Sequence, residues 1–312
     1  MSLHTTIMIA AYNAERFLPK SIASARAQRG ITPDIIVVDD ASQDNTCQIV
    51  REIPDVRYFK MPQNGGPSAA RNIAIEEARG NWIAVLDADD EMQPERLSRM
   101  IACGKAAQAD IVLGNFMPVG SDGSPLNGEA FLDPESIDPQ KSLSLEDYIA
   151  GNQMTADEKS LGYLKPLFRR KYLLENNLRY DLTLRNSEDY HIIAAAIAEG
   201  AKVIISPDPD YLYRQVEGSL SATLPPDYIK ALLAADAALA SKVLPTASEE
   251  LARQIESRRY YLEMLLAAET TMCHLKKRQF LTALKNMIKT PKACRLVAEK
   301  LAEATRKRTL SR

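Results

Sequence analysis

The run Trp82-Ile83-Ala84-Val85-Leu86-Asp87-Ala88-Asp89-Asp90 constrains the chain most, because an apolar segment suited to a buried strand stops abruptly in three carboxylates. A strand end of this kind invites a hard cation. Carboxylates this close repel one another, and the repulsion falls when Mg²⁺ or Mn²⁺ binds through oxygen ligands and brings a phosphate with it. The plainer alternative is an acidic turn capping the next helix, with Pro94 in its first turn. The segment alone leaves both readings open.

Strand and helix patterns alternate from the N-terminus onward. Apolar strands are expected at Thr6 to Ala10, Ile35 to Val38, Val56 to Phe59 and up to Leu86, separated by helical stretches at Phe17 to Gln28, Thr46 to Arg51 and Ser68 to Ala78. Such β-α-β units build a parallel sheet with helices on both faces, and ligands lie beyond the carboxyl ends of its strands. Tyr12-Asn13, Asp39-Asp40 and Asp87 to Asp90 sit at three such ends, so three strands bring chemistry to one rim. After a strand at Ile111 to Phe116, the stretch Pro118 to Lys141 is rich in Gly, Pro, Ser and Asp without a clear period and reads as a long surface excursion. Leu161 to Tyr180 mixes apolar and basic residues. Ser187-Glu188-Asp189 then opens a helix running to about Glu199, followed by strands at Val203 to Ile205 and Tyr211 to Tyr213, where the sheet is expected to end. From Pro225-Pro226 onward the pattern is helical, periodic at Tyr228 to Val243 and Glu249 to Met272, and a domain boundary at the double proline divides residues 1–224 from 225–312.

A chain of 312 residues can bury a substantial core. No apolar stretch approaches the roughly 18 residues that span a bilayer, and the N-terminus lacks the features of a signal peptide, so a cytoplasmic protein is expected. Cys47, Cys103, Cys273 and Cys294 are scattered with no C-x-x-C pair, which speaks for buried thiols rather than a zinc site or disulfide framework. The net charge of -2 hides an asymmetry, since Lys and Arg crowd into the C-terminal tail from Lys276-Lys277-Arg278 to Arg306-Lys307-Arg308. A basic periodic tail is either a solvated helix face or a contact for an anionic membrane.

Five segments stand out in order: Ala10-Ala11-Tyr12-Asn13, Val38-Asp39-Asp40-Ala41-Ser42, Asn64-Gly65-Gly66-Pro67-Ser68-Ala69-Ala70-Arg71-Asn72, Leu86-Asp87-Ala88-Asp89-Asp90 and Ser187-Glu188-Asp189. Together they closely resemble family 2 glycosyltransferases, over about residues 4 to 222. The resemblance implies an α/β GT-A fold with a mostly parallel central sheet, here extended by C-terminal helices. It also implies inverting transfer of a sugar from a nucleotide diphosphate donor.

By that resemblance, Ala10, Tyr12, Asp39 and Asp40 belong to the nucleotide pocket, with Asp40 accepting from the uracil N3–H and Tyr12 stacking on the base, so that UDP is the favoured carrier. Without it, Tyr12 reads as a half-buried turn tyrosine. Gly65-Gly66-Pro67 lets the backbone turn tightly into a helix whose N-terminal N–H groups face the rim, and Arg71, one turn in, is within reach of base or phosphate. Its alternative is a surface arginine on an amphipathic helix. Asp87 is implied to approach the ribose and the metal with its water shell, Asp89 to bind Mg²⁺ or Mn²⁺ directly, and Asp90 to support them.

Asp189 matches the family's general base, which takes the proton of the attacking acceptor hydroxyl, with Glu188 as the fallback. On helix physics alone, the pair is an acidic first turn favouring the dipole. Arg214 matches a segment that closes on the diphosphate, a role suited to a guanidinium. The segment departs from the family at Val216, where many members carry a histidine, which leaves the third metal ligand unassigned. His191 faces either the acceptor or simply its own helix.

A nicotinamide-dependent oxidoreductase would need G-x-G-x-x-G after the first strand, and a pyrophosphorylase a glycine-rich basic loop there; both are missing. A non-catalytic nucleotide-sugar binding or scaffold protein of the same fold is the remaining alternative. The resemblance further implies a UDP-glucose-like donor and a glycan acceptor, carried on polyprenyl diphosphate in exopolysaccharide or surface polysaccharide assembly. No nucleic-acid partner is expected. The basic tail then serves either for peripheral attachment to the inner membrane face beyond about Leu275 or as a helical homodimer module.

Overall fold

A computed structural model describes residues 4–153, 159–215 and 224–310 of the chain. The chain divides into two compact units, Met1–Gly151 with Lys159–Ser219, and Asn152–Glu158 with Leu220–Arg312.

The first unit opens with β1 (His4–Ala11), α1 (Leu18–Arg26), β2 (Thr32–Asp39), α2 (Thr46–Glu52), β3 (Val56–Lys60), α3 (Pro67–Glu77) and β4 (Trp82–Val85). Ile7 to Ile9 of β1, Ile35 to Val38 of β2 and all of β4 are buried, so both strand faces are covered and each strand reads as an unbroken apolar run. β1 pairs in parallel with β2 and β4, and β2 with β3. In that register Ala10 and Ala11 lie opposite Val38 and Asp39, which sets the first two polar segments side by side.

Then follow β5 (Glu91–Met92), α4 (Arg96–Ala106), β6 (Ile111–Gly114), β7 (Met117–Val119), α5 (Leu145–Ala150), β8 (Lys165–Arg169), α6 (Arg170–Glu175), α7 (Glu188–Ala198), β9 (Val203–Ser206) and β10 (Tyr211–Arg214). The main sheet runs β3-β2-β1-β4-β8-β6-β9, with β8 antiparallel to both neighbours. The stretch expected only to mix apolar and basic residues thus supplies an internal strand. β10, expected at the end of the main sheet, belongs instead to a three-stranded sheet, β5-β10-β7.

The strand expected to reach Phe116 ends at Gly114, where a Cβ would lie 2.1 Å from the Arg96 guanidinium. Arg96 is paired with Asp210 at 2.8 Å. The excursion after β7 is largely exposed, yet Phe131 ties it down by stacking on Phe116 with ring centroids 4.2 Å apart. All four cysteines are free, and they are half-buried rather than buried as expected.

The second unit holds α8 (Pro226–Val243), α9 (Glu249–Lys276), α10 (Phe280–Lys289) and α11 (Cys294–Leu310). Ser248 caps α9 by accepting from the Leu251 N–H at 3.0 Å, with Glu249 and Glu250 favouring the helix dipole. Buried Arg258 joins α9 to α8 through Asp236 at 2.8 Å and donates to the Asn152 carbonyl. Ala268 and Met272 of α9 pack against Val297 of α11. Among the described residues no helix is long and apolar enough to cross a membrane.

Candidate active site

At the end of β1, Ala10 is half-buried and Tyr12 is 47% exposed, an aromatic face open to stacking. Asn13 follows in the left-handed region (φ 48°), its N–H donating to Ser42 Oγ at 3.0 Å and its side-chain oxygen accepting from the Gln43 N–H at 2.8 Å. Asp39, fully buried, accepts from the Ser42 N–H at 2.8 Å and from the Tyr58 hydroxyl at 2.7 Å. Its carboxylate shapes the β2 turn. Asp40 accepts from the N–H groups of Gly65 (2.6 Å) and Gly66 (2.8 Å), one on each oxygen. The glycine turn into α3 is therefore clamped to the end of β2. Gly66 adopts φ 86°, and a Cβ there would meet Arg185 at 2.8 Å.

From α3, Arg71 reaches inward and is almost fully buried. Its Nη2 lies 2.9 Å from Asp87 Oδ1, and its Nη1 lies 2.5 Å from Glu188 Oε1 and 3.3 Å from Asp189 Oδ1. One guanidinium thus ties the end of β4 to the first turn of α7. Burial opposes the Arg71 charge, but Asp189, Glu188, Tyr180 and Asp87 outweigh it and hold its pKa well above the ordinary value. Asp189 also accepts from the Tyr180 hydroxyl at 3.0 Å. Both contacts fall on Oδ1, so among the described residues Oδ2 is open to an incoming hydroxyl. Glu188 is pushed up by burial, partly offset by Arg71. The residue before them, Ser187, sits at φ 58°, a left-handed position from which α7 starts directly with the two acidic residues. His191 lies buried one turn on, edge-on to Tyr190 at 4.9 Å.

The other Asp87 oxygen is held by Lys165 of β8, Nζ to Oδ2 2.5 Å. Burial alone would raise the Asp87 pKa, yet Lys165 and Arg71 bring it down to about 2. Asp89 differs. Burial, then the neighbouring Asp87 charge, pushes it up to about 6. Asp90 is raised by burial and both neighbours; it accepts from the Tyr211 hydroxyl at 2.7 Å and the Arg214 N–H at 2.7 Å. Arg214 donates from Nε to the Asp89 carbonyl at 2.9 Å and from Nη1 to the carbonyls of Gly120 and Ser121, and it pairs through Nη2 with Glu91 at 2.5 Å. These contacts knit the acidic turn to β10 and the loop after β7, and phosphate contact by Arg214 requires some of them to open. Val216 and the rest of the expected closing segment, to Ser221, lie outside the described residues.

Among the described residues no group of three or more His, Cys, Asp or Glu is arranged to hold a metal ion. The donor set fits one at Asp89 all the same. Its carboxylate has no side-chain partner among the described residues; burial first and the Asp87 charge second raise its pKa, and a divalent ion offsets both. Asp87 has both oxygens on cations, so direct coordination there means displacing Lys165 or Arg71.

Sequence reasoning missed Lys165, Tyr180 and Tyr211. The available signal was weak: Lys165 opens a short apolar run, Pro166 to Phe168, that a period-based reading leaves unassigned.

Residues 6–158 match the model of "Glycosyl transferase family 2". The chain is 38% identical over 309 residues to the succinoglycan biosynthesis protein ExoO of Rhizobium meliloti, covering 97% of this chain and 86% of that protein. It is 31% identical to ExoU, another succinoglycan biosynthesis protein of Rhizobium meliloti, covering 80% and 73% respectively. In fold it is similar to S. aureus TarS residues 1–349 in complex with UDP-GlcNAc, with TM-score 0.61, 20% identity, and 92% and 81% of the two chains covered. It is likewise similar to the mannosyltransferase PcManGT from Pyrobaculum calidifontis with GDP-Man and Mn²⁺, with TM-score 0.59, 16% identity and coverage of 96% and 80%. The architecture is that of the GT-A enzymes, and the chain belongs to the family 2 glycosyltransferases.

Proposed function

We propose that the chain is an inverting, metal-dependent hexosyltransferase that moves a glucose-like sugar from UDP to a hydroxyl of a glycan acceptor. The observation that carries this reading is the Arg71 bridge, which draws Glu188 and Asp189 to within reach of the acidic turn while leaving Asp189 Oδ2 open. Asp189 receives the acceptor proton on Oδ2 during attack, with Oδ1 fixed by Arg71 and Tyr180. Glu188 is the fallback base, although its hold on Arg71 suits it to orientation. Tyr12 stacks on the base, with Ala10, Asp39 and Asp40 shaping its pocket. Asp87, Arg71 and Arg214 face the ribose and phosphates. Asp89 holds Mg²⁺ or Mn²⁺, which when bound supplies positive charge for the departing diphosphate.

The succinoglycan biosynthesis proteins to which the chain is similar support exopolysaccharide assembly; an acceptor carried on polyprenyl diphosphate extends that reading. Such a carrier places the reaction at the inner face of the plasma membrane, and contact with that face is part of the proposal. A panel of nucleotide sugars with Mn²⁺, followed by release of the nucleoside diphosphate, identifies the donor. In the same assay Asp189→Asn is expected to lose about two to four decades of turnover while UDP binding persists. Undiminished turnover removes Asp189 as the base.

A further inference from the structure

We propose that α10 carries a surface that seats the protein on an anionic lipid layer. Four large apolar side chains on this ten-residue helix face solvent: Phe280 is 64% exposed, Leu281 78%, Leu284 54% and Ile288 69%. Their spacing places them on one face, since residues four apart share a side of a helix. The opposite side is anchored to α9, where Ala283 is buried and Asn286 donates to the Ala267 carbonyl (2.9 Å) and Thr271 Oγ1 (2.7 Å). The exposed face is thus held outward by packing. Monomeric soluble proteins seldom leave such contiguous apolar surface bare.

Charge identifies the occupant. Lys285 and Lys289 border the apolar face within the helix, and Lys276, Lys277 and Arg278 immediately precede it. None of these five is paired with a carboxylate among the described residues, and the sequence holds no Asp or Glu between Glu269 and Glu299. An apolar strip beside unpaired cations matches the boundary between acyl chains and anionic headgroups. A second copy docked on the same strip would bring two sets of these cations together. The lipid-carried acceptor of the proposed function gives the contact its purpose, and the inference rests on that reading for nothing else.

The test is flotation of the full chain with vesicles of phosphatidylglycerol and phosphatidylcholine in equal parts, and with phosphatidylcholine alone. The wild type is expected to float with the mixed vesicles, less so with phosphatidylcholine, and to be released by salt. Leu281→Glu with Ile288→Glu is expected to cut vesicle binding at least about ten-fold, and Lys285→Gln with Lys289→Gln by about ten- to thirty-fold on the mixed vesicles. Both variants should keep the far-UV circular dichroism and UDP release of the wild type. Wild type that does not float, or variants that float equally well, overturn the proposal. So does a wild-type dimer in light scattering that the Leu281/Ile288 variant breaks, since a second copy then covers the strip. A wild type that floats but transfers no sugar counts against the proposed function and leaves the lipid contact standing.

Discussion

Lys165 is the side chain on which the charge balance of the acidic turn depends. With Arg71 it neutralises Asp87 inside a site where an unpaired carboxylate is costly. Lys165→Met, which keeps the stem and removes the charge, is expected to cost about 3 kcal/mol of stability in urea denaturation. Asp89 carries the opposite imbalance. A carboxyl whose pKa climbs on folding, here to about 6 from 3.8, destabilises the fold when ionised. The penalty is absent below the unfolded pKa, grows as pH rises toward the folded one, and is full above it. Asp89→Asn should therefore stabilise the metal-free protein by up to about 3 kcal/mol near pH 7 and hardly at all near pH 4, while turnover falls. Equal shifts in Tm at both pH values would remove the electrostatic explanation. The aspartates themselves were legible in the sequence, because they end an apolar run. Lys165 was not, since a lysine next to apolar residues reads as surface until pairing places its strand between β4 and β6.

Among the elements, β1, β2 and β4 were readable because each buries a nearly unbroken apolar run, and α3 because it buries one regular face; α7, buried nearly all round, was readable from the acidic turn that opens it. β8 and the small sheet were not. β8 is five residues long and bounded by charges, while β5 and β7 have two and three residues, too few for any period to register. Register across distant segments decides such strands, and one sequence does not display it. The start of α3 shows how an element's end serves the site. Gly65 and Gly66 give their N–H groups to Asp40, and Gly66 needs a positive φ that a side chain resists. Gly66→Ala is expected to destabilise the protein by about 1–3 kcal/mol and to weaken UDP binding, as read by calorimetry. Normal UDP affinity in that variant would separate this turn from the nucleotide pocket.

Across the whole molecule, the groups that make the site come from far apart in the chain. Arg71 meets Glu188 across 117 residues, and Lys165 meets Asp87 across 78. Long-range closures of this kind are slow, because loop entropy is spent before the contacts form. On dilution from urea, UDP release is expected to return after the far-UV signal, and simultaneous recovery would argue against late assembly. During synthesis, Arg71 and Asp87 leave the ribosome long before their partners on β8 and α7 exist. A nascent chain therefore holds Arg71 and Asp87 without their partners, and on the proposed function a truncated product ending before Glu188 lacks the base that would let it consume activated sugar.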